Sequence, residues 1–251
     1  MTSLLKATLI NKSFRNERNQ VDVLKEVSLT INEGEFVAIM GPSGCGKTTL
    51  LYVLSGMDSV NQGDISFAGK KLSKQSETSL ADIRRKEMGF VFQQPTFLKN
   101  LAIIDNIILS TMRDRHKQVK RVTEEAMQLM KSTGIQSLAK RMPSQVSGGQ
   151  LQRAGICRAL INKPKLILAD EPTGALNSKA AAEIMDIFKR INHRGTTILL
   201  VTHDAKVAAQ SDRVLYMKDG KIVEELLLAS NDLSVEQKME SISEMALLTE
   251  E

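Results

Sequence analysis

Only two cysteines, Cys45 and Cys157, occur in 251 residues, too few and too far apart for a disulfide framework or a cysteine metal cage. Both read as reduced thiols. No apolar run approaches the roughly 18 residues that a membrane-spanning helix needs, and Met1-Thr2-Ser3-Leu4-Leu5-Lys6 lacks the basic-then-apolar order of a signal peptide. The chain is therefore expected in the cytoplasm. Aromatic residues make up only 4%, and the lysines and arginines are scattered with no stripe and no interleaved aromatics, which argues against a nucleic-acid partner despite a net charge of +5. That charge is uneven, because residues 230–251 carry six acids against Lys238 alone. Repeats and low-complexity segments are lacking too.

What is present is the composition of folded protein, 42% apolar and 25% charged, at a length that suits one α/β domain. Short β-type runs open the chain at Leu4 to Ile10 and Val27 to Ile31. The turn Asn32-Glu33-Gly34-Glu35 then leads into the buried-type strand Phe36 to Met40. Lys47 to Ser55 has helical spacing and ends at Gly56, a C-cap glycine. From Ile103 to about Lys140 the period is helical, with Val122, Ala126, Leu129 and Met130 on one face. Leu166 to Ala169 and Thr197 to Val201 flank the helical stretch Lys179 to Ile191, which indicates βαβ units and a parallel sheet. Val214 to Met217, the turn Asp219-Gly220 and Lys221 to Val223 predict a closing hairpin. Val235, Met239, Ile242 and Ala246 predict an acidic amphipathic C-terminal helix over 231–251, packed on its own domain.

Gly41-Pro42-Ser43-Gly44-Cys45-Gly46-Lys47-Thr48 fits the glycine-rich phosphate loop and sits between a strand and a helix, as that loop must. Glycines let backbone N–H groups converge on phosphate oxygens, Lys47 neutralises their charge, and the Thr48 hydroxyl can ligate Mg²⁺ at the helix start. Gly41 through Thr49 are the candidate nucleotide ligands. Cys45 fills a small side-chain slot, and its thiol is expected to be open to alkylation. Leu166-Ile167-Leu168-Ala169-Asp170-Glu171 is an apolar strand ending in two carboxylates, where strand ends meet ligands in open parallel sheets. Asp170 is expected to hold Mg²⁺ through water, and Glu171 to orient or deprotonate the attacking water.

Ser147-Gly148-Gly149-Gln150, opening the helical stretch Gln150 to Leu160, completes a set that resembles the ABC ATPases over residues 4 to about 225. The resemblance implies an α/β fold: a P-loop NTPase core with a mostly parallel sheet, an antiparallel β subdomain, and an all-helical insert at about 94–160, within an ATPase domain of 1–230. It implies a head-to-tail dimer in which Ser147, Gly149 and Gln150 of one copy cover the γ-phosphate held by the other. Gln93 is similar to the glutamine that senses Mg²⁺ and water, His203 to the switch histidine on the γ-phosphate, and Phe14 to the aromatic that stacks on adenine. Asn177 stands where the family usually has aspartate, and Leu151 where it usually has a polar residue. Gln94 to Asn100 leads into the insert, where Phe97 and Leu98 are expected either at a surface that receives a membrane subunit or packed within the insert itself.

The implied function is a motor subunit that binds ATP and Mg²⁺, dimerises on ATP and drives a separate integral membrane permease from the inner face of the membrane. The subgroup resembled serves lipoprotein release, macrolide export and, by the run Glu171 to Leu176, resistance to peptide antibiotics. The alternative is a cell-division type of ABC ATPase that signals through its membrane partner. Chromosome-maintenance ATPases of similar motifs fit poorly, since they separate the two motifs by hundreds of coiled-coil residues, whereas here Ser147 follows Lys47 by only 100 (147 − 47).

Overall fold

The computed structural model describes residues 2–15, 19–228 and 234–250; the expected domain boundary at 230/231 lies outside the described residues. Two long strands begin the chain, β1 (Ser3–Arg15) and β2 (Gln20–Asn32). Then come β3 (Phe36–Met40), α1 (Lys47–Leu54), β4 (Gln62–Phe67), β5 (Lys70–Lys71), α2 (Glu77–Glu87) and β6 (Met88–Phe92). The helical insert holds α3 (Ile103–Leu109), α4 (Met112–Arg115), α5 (Val119–Ser132) and α6 (Gly148–Leu160). The chain returns to the core with β7 (Leu166–Asp170), α7 (Ser178–Asn192), β8 (Thr197–Val201), α8 (Ala205–Ala208), β9 (Arg213–Lys218) and β10 (Lys221–Leu227), and closes with α9 (Val235–Glu250).

The strands form two sheets. One is antiparallel, in the order β2-β1-β4-β5; the other runs β10-β9-β3-β8-β7-β6, parallel except for β10. Every residue of β3 and of β8 is buried, because helices cover both faces of the parallel sheet. Period-two alternation sorts the strand side chains between layers. Leu166 and Leu168 of β7, with Leu199 and Val201 of β8, pack with α1 and the antiparallel sheet, while Ile167, Ala169, Ile198 and Leu200 pack against Ile184, Phe188 and Ile191 of α7. The core thus spans both faces of one sheet, and the ends of β3, β7 and β8 emerge together on one edge.

Several expectations are extended. β1 and β2 run well past Leu4–Ile10 and Val27–Ile31, with register shifts in their pairing and left-handed backbone at Leu9 (φ 49°) and Glu26 (φ 53°). Such bulges break the alternation that marks a strand. The single helical reading from Ile103 divides into α3, α4 and α5. The last of these is stopped by Gly134 (φ 74°), where Ile135 N–H donates to the Met130 carbonyl, 2.8 Å. Val122, Ala126 and Met130 are buried as expected, with Leu129 partly so. In α9, Ile242 and Met245 are buried against α8, β3 and β9, with Met239 and Ala246 beside them. Val235, expected on the same stripe, is exposed.

Ile242→Ala should cost about 2–5 kcal/mol if α9 docks as described. Urea unfolding checks this, and an unchanged midpoint would mean that α9 is not part of the cooperative fold.

Candidate functional site

The loop between β3 and α1 is held by close backbone approach. A Cβ on Gly41 (φ 149°) would lie 2.0 Å from the Met217 carbonyl oxygen of β9, and one on Gly46 (φ 105°) 2.9 Å from the Val23 carbonyl oxygen of β2. No side chain fits either place, so glycine lets the loop settle between the two sheets. It borders a cavity of about 330 Å³ lined by Ser43, Gly44, Gly46, Lys47, Thr48 and Thr49, with Val23, Glu171, Val201 and His203 opposite. Lys47 is buried, and its ammonium donates to the carbonyls of Gly41 and Pro42, each 2.8 Å away. A phosphate oxygen placed there is a stronger, charged acceptor for that ammonium.

Asp170 ends β7 one residue before Glu171. The Thr48 hydroxyl donates to Asp170 Oδ1 at 3.0 Å, joining the helix start to the strand end. Burial pushes the Asp170 carboxyl above its ordinary value and the neighbouring Glu171 adds to this, while the Thr48 bond and Lys47 pull the other way. A divalent cation beside Thr48 and Asp170 would relieve that desolvated charge, so this oxygen pair fits magnesium. Glu171 takes a left-handed backbone (φ 47°), with its N–H donating to the Val201 carbonyl at 3.0 Å, and its Oε1 lies 2.8 Å from His203 Nδ1.

Gln93, just past β6, does not line the cavity; its Nε2 lies 2.8 Å from where a Cβ on Gly174 would be, against the turn that follows Glu171. Phe14 is 46% exposed, pairs with Val21 across β1 and β2, and carries the Lys12 ammonium 4.9 Å from its ring centre. It lies outside the cavity wall, and its cross-strand partner Val21 stands two residues before Val23 on β2. Cys45 differs from the expectation. Only 7% exposed, it packs in the core beneath the loop, and burial raises its thiol pKa against the pull of Lys47. Phe97 follows the second of its two readings, being 8% exposed within the insert core beneath the Arg158 guanidinium, while Leu98 is 50% exposed.

Ser147, Gly149 and Gln150 border a second cavity, of about 420 Å³, that shares no lining residue with the first. Ser147 caps α6: its hydroxyl accepts from Gln150 N–H at 3.4 Å, and Gln150 Oε1 accepts from Ser147 N–H at 2.9 Å. The first-turn amides of Gly148 and Gly149 have no carbonyl within the helix to bond, as at any helix start, and make a second anion-attracting edge. Across this cavity Asn177 caps α7, its Oδ1 accepting from Ala180 N–H at 2.9 Å. A helix cap needs an oxygen and no full charge, so asparagine holds this corner as aspartate would.

The pattern that defines ABC transporters matches residues 24–174. The chain belongs to the ABC transporter family. It is 40% identical over 225 residues to the bacitracin export ATP-binding protein BceA of Halalkalibacterium halodurans, covering 89% of this chain and 88% of that one. It is 42% identical over 233 residues to the ABC transporter ATP-binding protein YxdL of Bacillus subtilis (92% and 90%). The macrolide export ATP-binding/permease protein MacB of Pasteurella multocida is 40% identical over 88% of this chain, which spans only 34% of that protein. A dimeric bacterial ABC transporter cassette superposes with a TM-score of 0.82 at 36% identity, covering 90% of this chain and 99% of that one. The chain is accordingly an ATPase with the P-loop fold, of the group that includes macrolide and bacitracin exporters, and a motor subunit of ABC transporters.

Sequence reasoning did not find Val23 or Val201 on the cavity wall, or the Arg153–Glu183 ion pair beside the second cavity, because each depends on tertiary proximity. Burial pushes Cys157 up to about 11 and raises Cys45 as well, so both thiols stay protonated at neutral pH. Native protein treated with iodoacetamide should therefore keep both unmodified under conditions that label both in urea, as read by mass spectrometry. Fast native labelling of Cys45 would show that the loop opens.

Proposed function

We propose that two copies of this chain clamp ATP between them and drive a membrane permease that exports a peptide antibiotic or similar amphipathic molecule. One observation carries the dimer: the phosphate cavity and the Ser147–Gln150 edge are separate cavities on one chain, so a nucleotide in the first is covered by the second only if another copy supplies it. The solved dimers of related cassettes, one bound to ADP and Pi, support the same arrangement. The bacitracin and macrolide relatives support export as the direction and an amphipathic cargo.

In this reading Gly41 to Thr49 wrap the phosphates, Phe14 stacks on adenine, and Thr48, Asp170 and Gln93 hold magnesium. The metal would supply charge neutralisation between the phosphates. Glu171 accepts a proton from the attacking water, and His203, whose Nδ1 lies 2.8 Å from Glu171 Oε1, orients that carboxylate, an alignment that phosphoryl transfer requires above all. Lys47 offsets the charge that develops on the transferred group.

A third cavity, of about 410 Å³, opens between α2, β6 and α6. Met57, Met88, Phe90 and Phe92 give it an apolar floor, and Arg84, Arg85 and Arg158 line it; Arg84 is paired with Glu77 and Arg85 with Asp82 and Asp114, so among the described residues Arg158 is the one of the three without an acid partner. An amphipathic segment of the permease with acidic residues fits that wall, which would hold the chain at the inner face of the membrane. No helix among the described residues is long and apolar enough to cross a membrane itself.

Glu171→Gln should cut ATP turnover by about 10²-fold or more while leaving ATP binding largely intact. With ATP and magnesium it should also run as a dimer in light scattering, where a persistent monomer even beside the permease would refute the clamp. Ala81→Glu, which puts an acid into the arginine-lined groove, should release the chain from membranes of its own cells without changing ATP affinity. Retention at the wild-type level would move the docking site elsewhere.

A further inference from the structure

The loop that carries Gln93 is fastened to α6 at three successive points along one face of that helix. Gln152 is 1% exposed, and its Nε2 donates to the carbonyl oxygen of Phe92, 3.0 Å away, in the residue directly before Gln93. One turn on, Gly155 leaves room for Pro95, whose Cβ and Cγ would lie 3.3 Å from a Cβ placed there. A further turn on, Arg158 donates to the Thr96 carbonyl at 2.5 Å and lays its guanidinium over the Phe97 ring, 4.5 Å from the ring centre. Residues three apart on a helix are neighbours, so Gln152, Gly155 and Arg158 form one row. A buried amide costs free energy unless it is bonded, and an apolar residue would fill the same space. The Gln152 amide therefore fixes a particular geometry.

We infer that Gln152 and Arg158 are positioning residues that tie the Gln93 loop to the helix whose first turn is Ser147–Gln150. Arg158 also lines the groove between α2 and α6, so its guanidinium touches the groove and the Gln93 loop at once. The inference rests on the reading of Gln93 and the groove given under the proposed function.

A double-mutant cycle tests it. Gln152→Leu should lower kcat about tenfold, because small misplacement of an aligning group is costly, with KM for ATP and ATP binding unchanged. Placed in a Gln93→Ala chain, it should lower kcat no further, since its only route of action is gone. The same fractional loss in both backgrounds, no loss in either, or a loss of ATP binding in step with a fall in Tm would each overturn the inference. Should Gln152→Leu fail to fold, Arg158→Gln at a partly exposed position is expected to show the same non-additivity. Wild-type turnover in Gln93→Ala alone would instead remove Gln93 from the reaction, a separate result that refutes the reading on which the row depends.

Discussion

Close backbone contact beneath the phosphate loop is the constraint on which the site depends. With Gly41 against the Met217 carbonyl and Gly46 against that of Val23, the loop is pinned between an inner strand of the parallel sheet and a strand of the antiparallel one. Two glycines without side chains therefore join the subdomains. Their placement sets where α1 begins, and the start of α1 sets Thr48 within 3.0 Å of Asp170. A larger residue at either position would push the loop off its seat and part the hydroxyl from the carboxylate, 122 residues away in sequence.

The parallel core was legible because burial on both faces leaves continuous apolar runs, as in Phe36–Met40 and Thr197–Val201. The antiparallel sheet was read only in part. Bulges near Leu9 and Glu26 interrupt the alternation of β1 and β2, and β4 carries Gln62, Gly63 and Asp64 in half its length. α2 escaped notice for a different reason: Ile83 is its only buried residue, so there is almost no apolar stripe to detect. Of the site, what lies in linear motifs was visible, since a strand, a glycine turn and a helix start fix their own geometry. What depends on chain segments meeting was not, and the Glu171–His203 bond and the burial of the Cys45 thiol belong there.

Two charges of the phosphate site lie where desolvation makes them count. Lys47 is buried with two carbonyls for company, and Asp170 is held up by burial and by a second carboxylate. Both lie in surroundings where electrostatic interactions are stronger than in water. The second edge, at Ser147, is built with polar atoms that already satisfy one another in a capping box, and needs no buried charge. The difference suits the two roles proposed, one surface gripping phosphate and the other closing over it.

Glu171 occupies a backbone conformation, φ 47°, that side chains other than glycine and asparagine adopt at a cost of about 1–3 kcal/mol. The chain therefore carries a small local debt at the very residue assigned to water. Random drift towards greater robustness would favour glycine or asparagine at this position, and each step in that direction would remove the carboxylate. Here resilience and chemistry pull against each other, and a thermally toughened descendant of this cassette would tend to fall silent at this residue first.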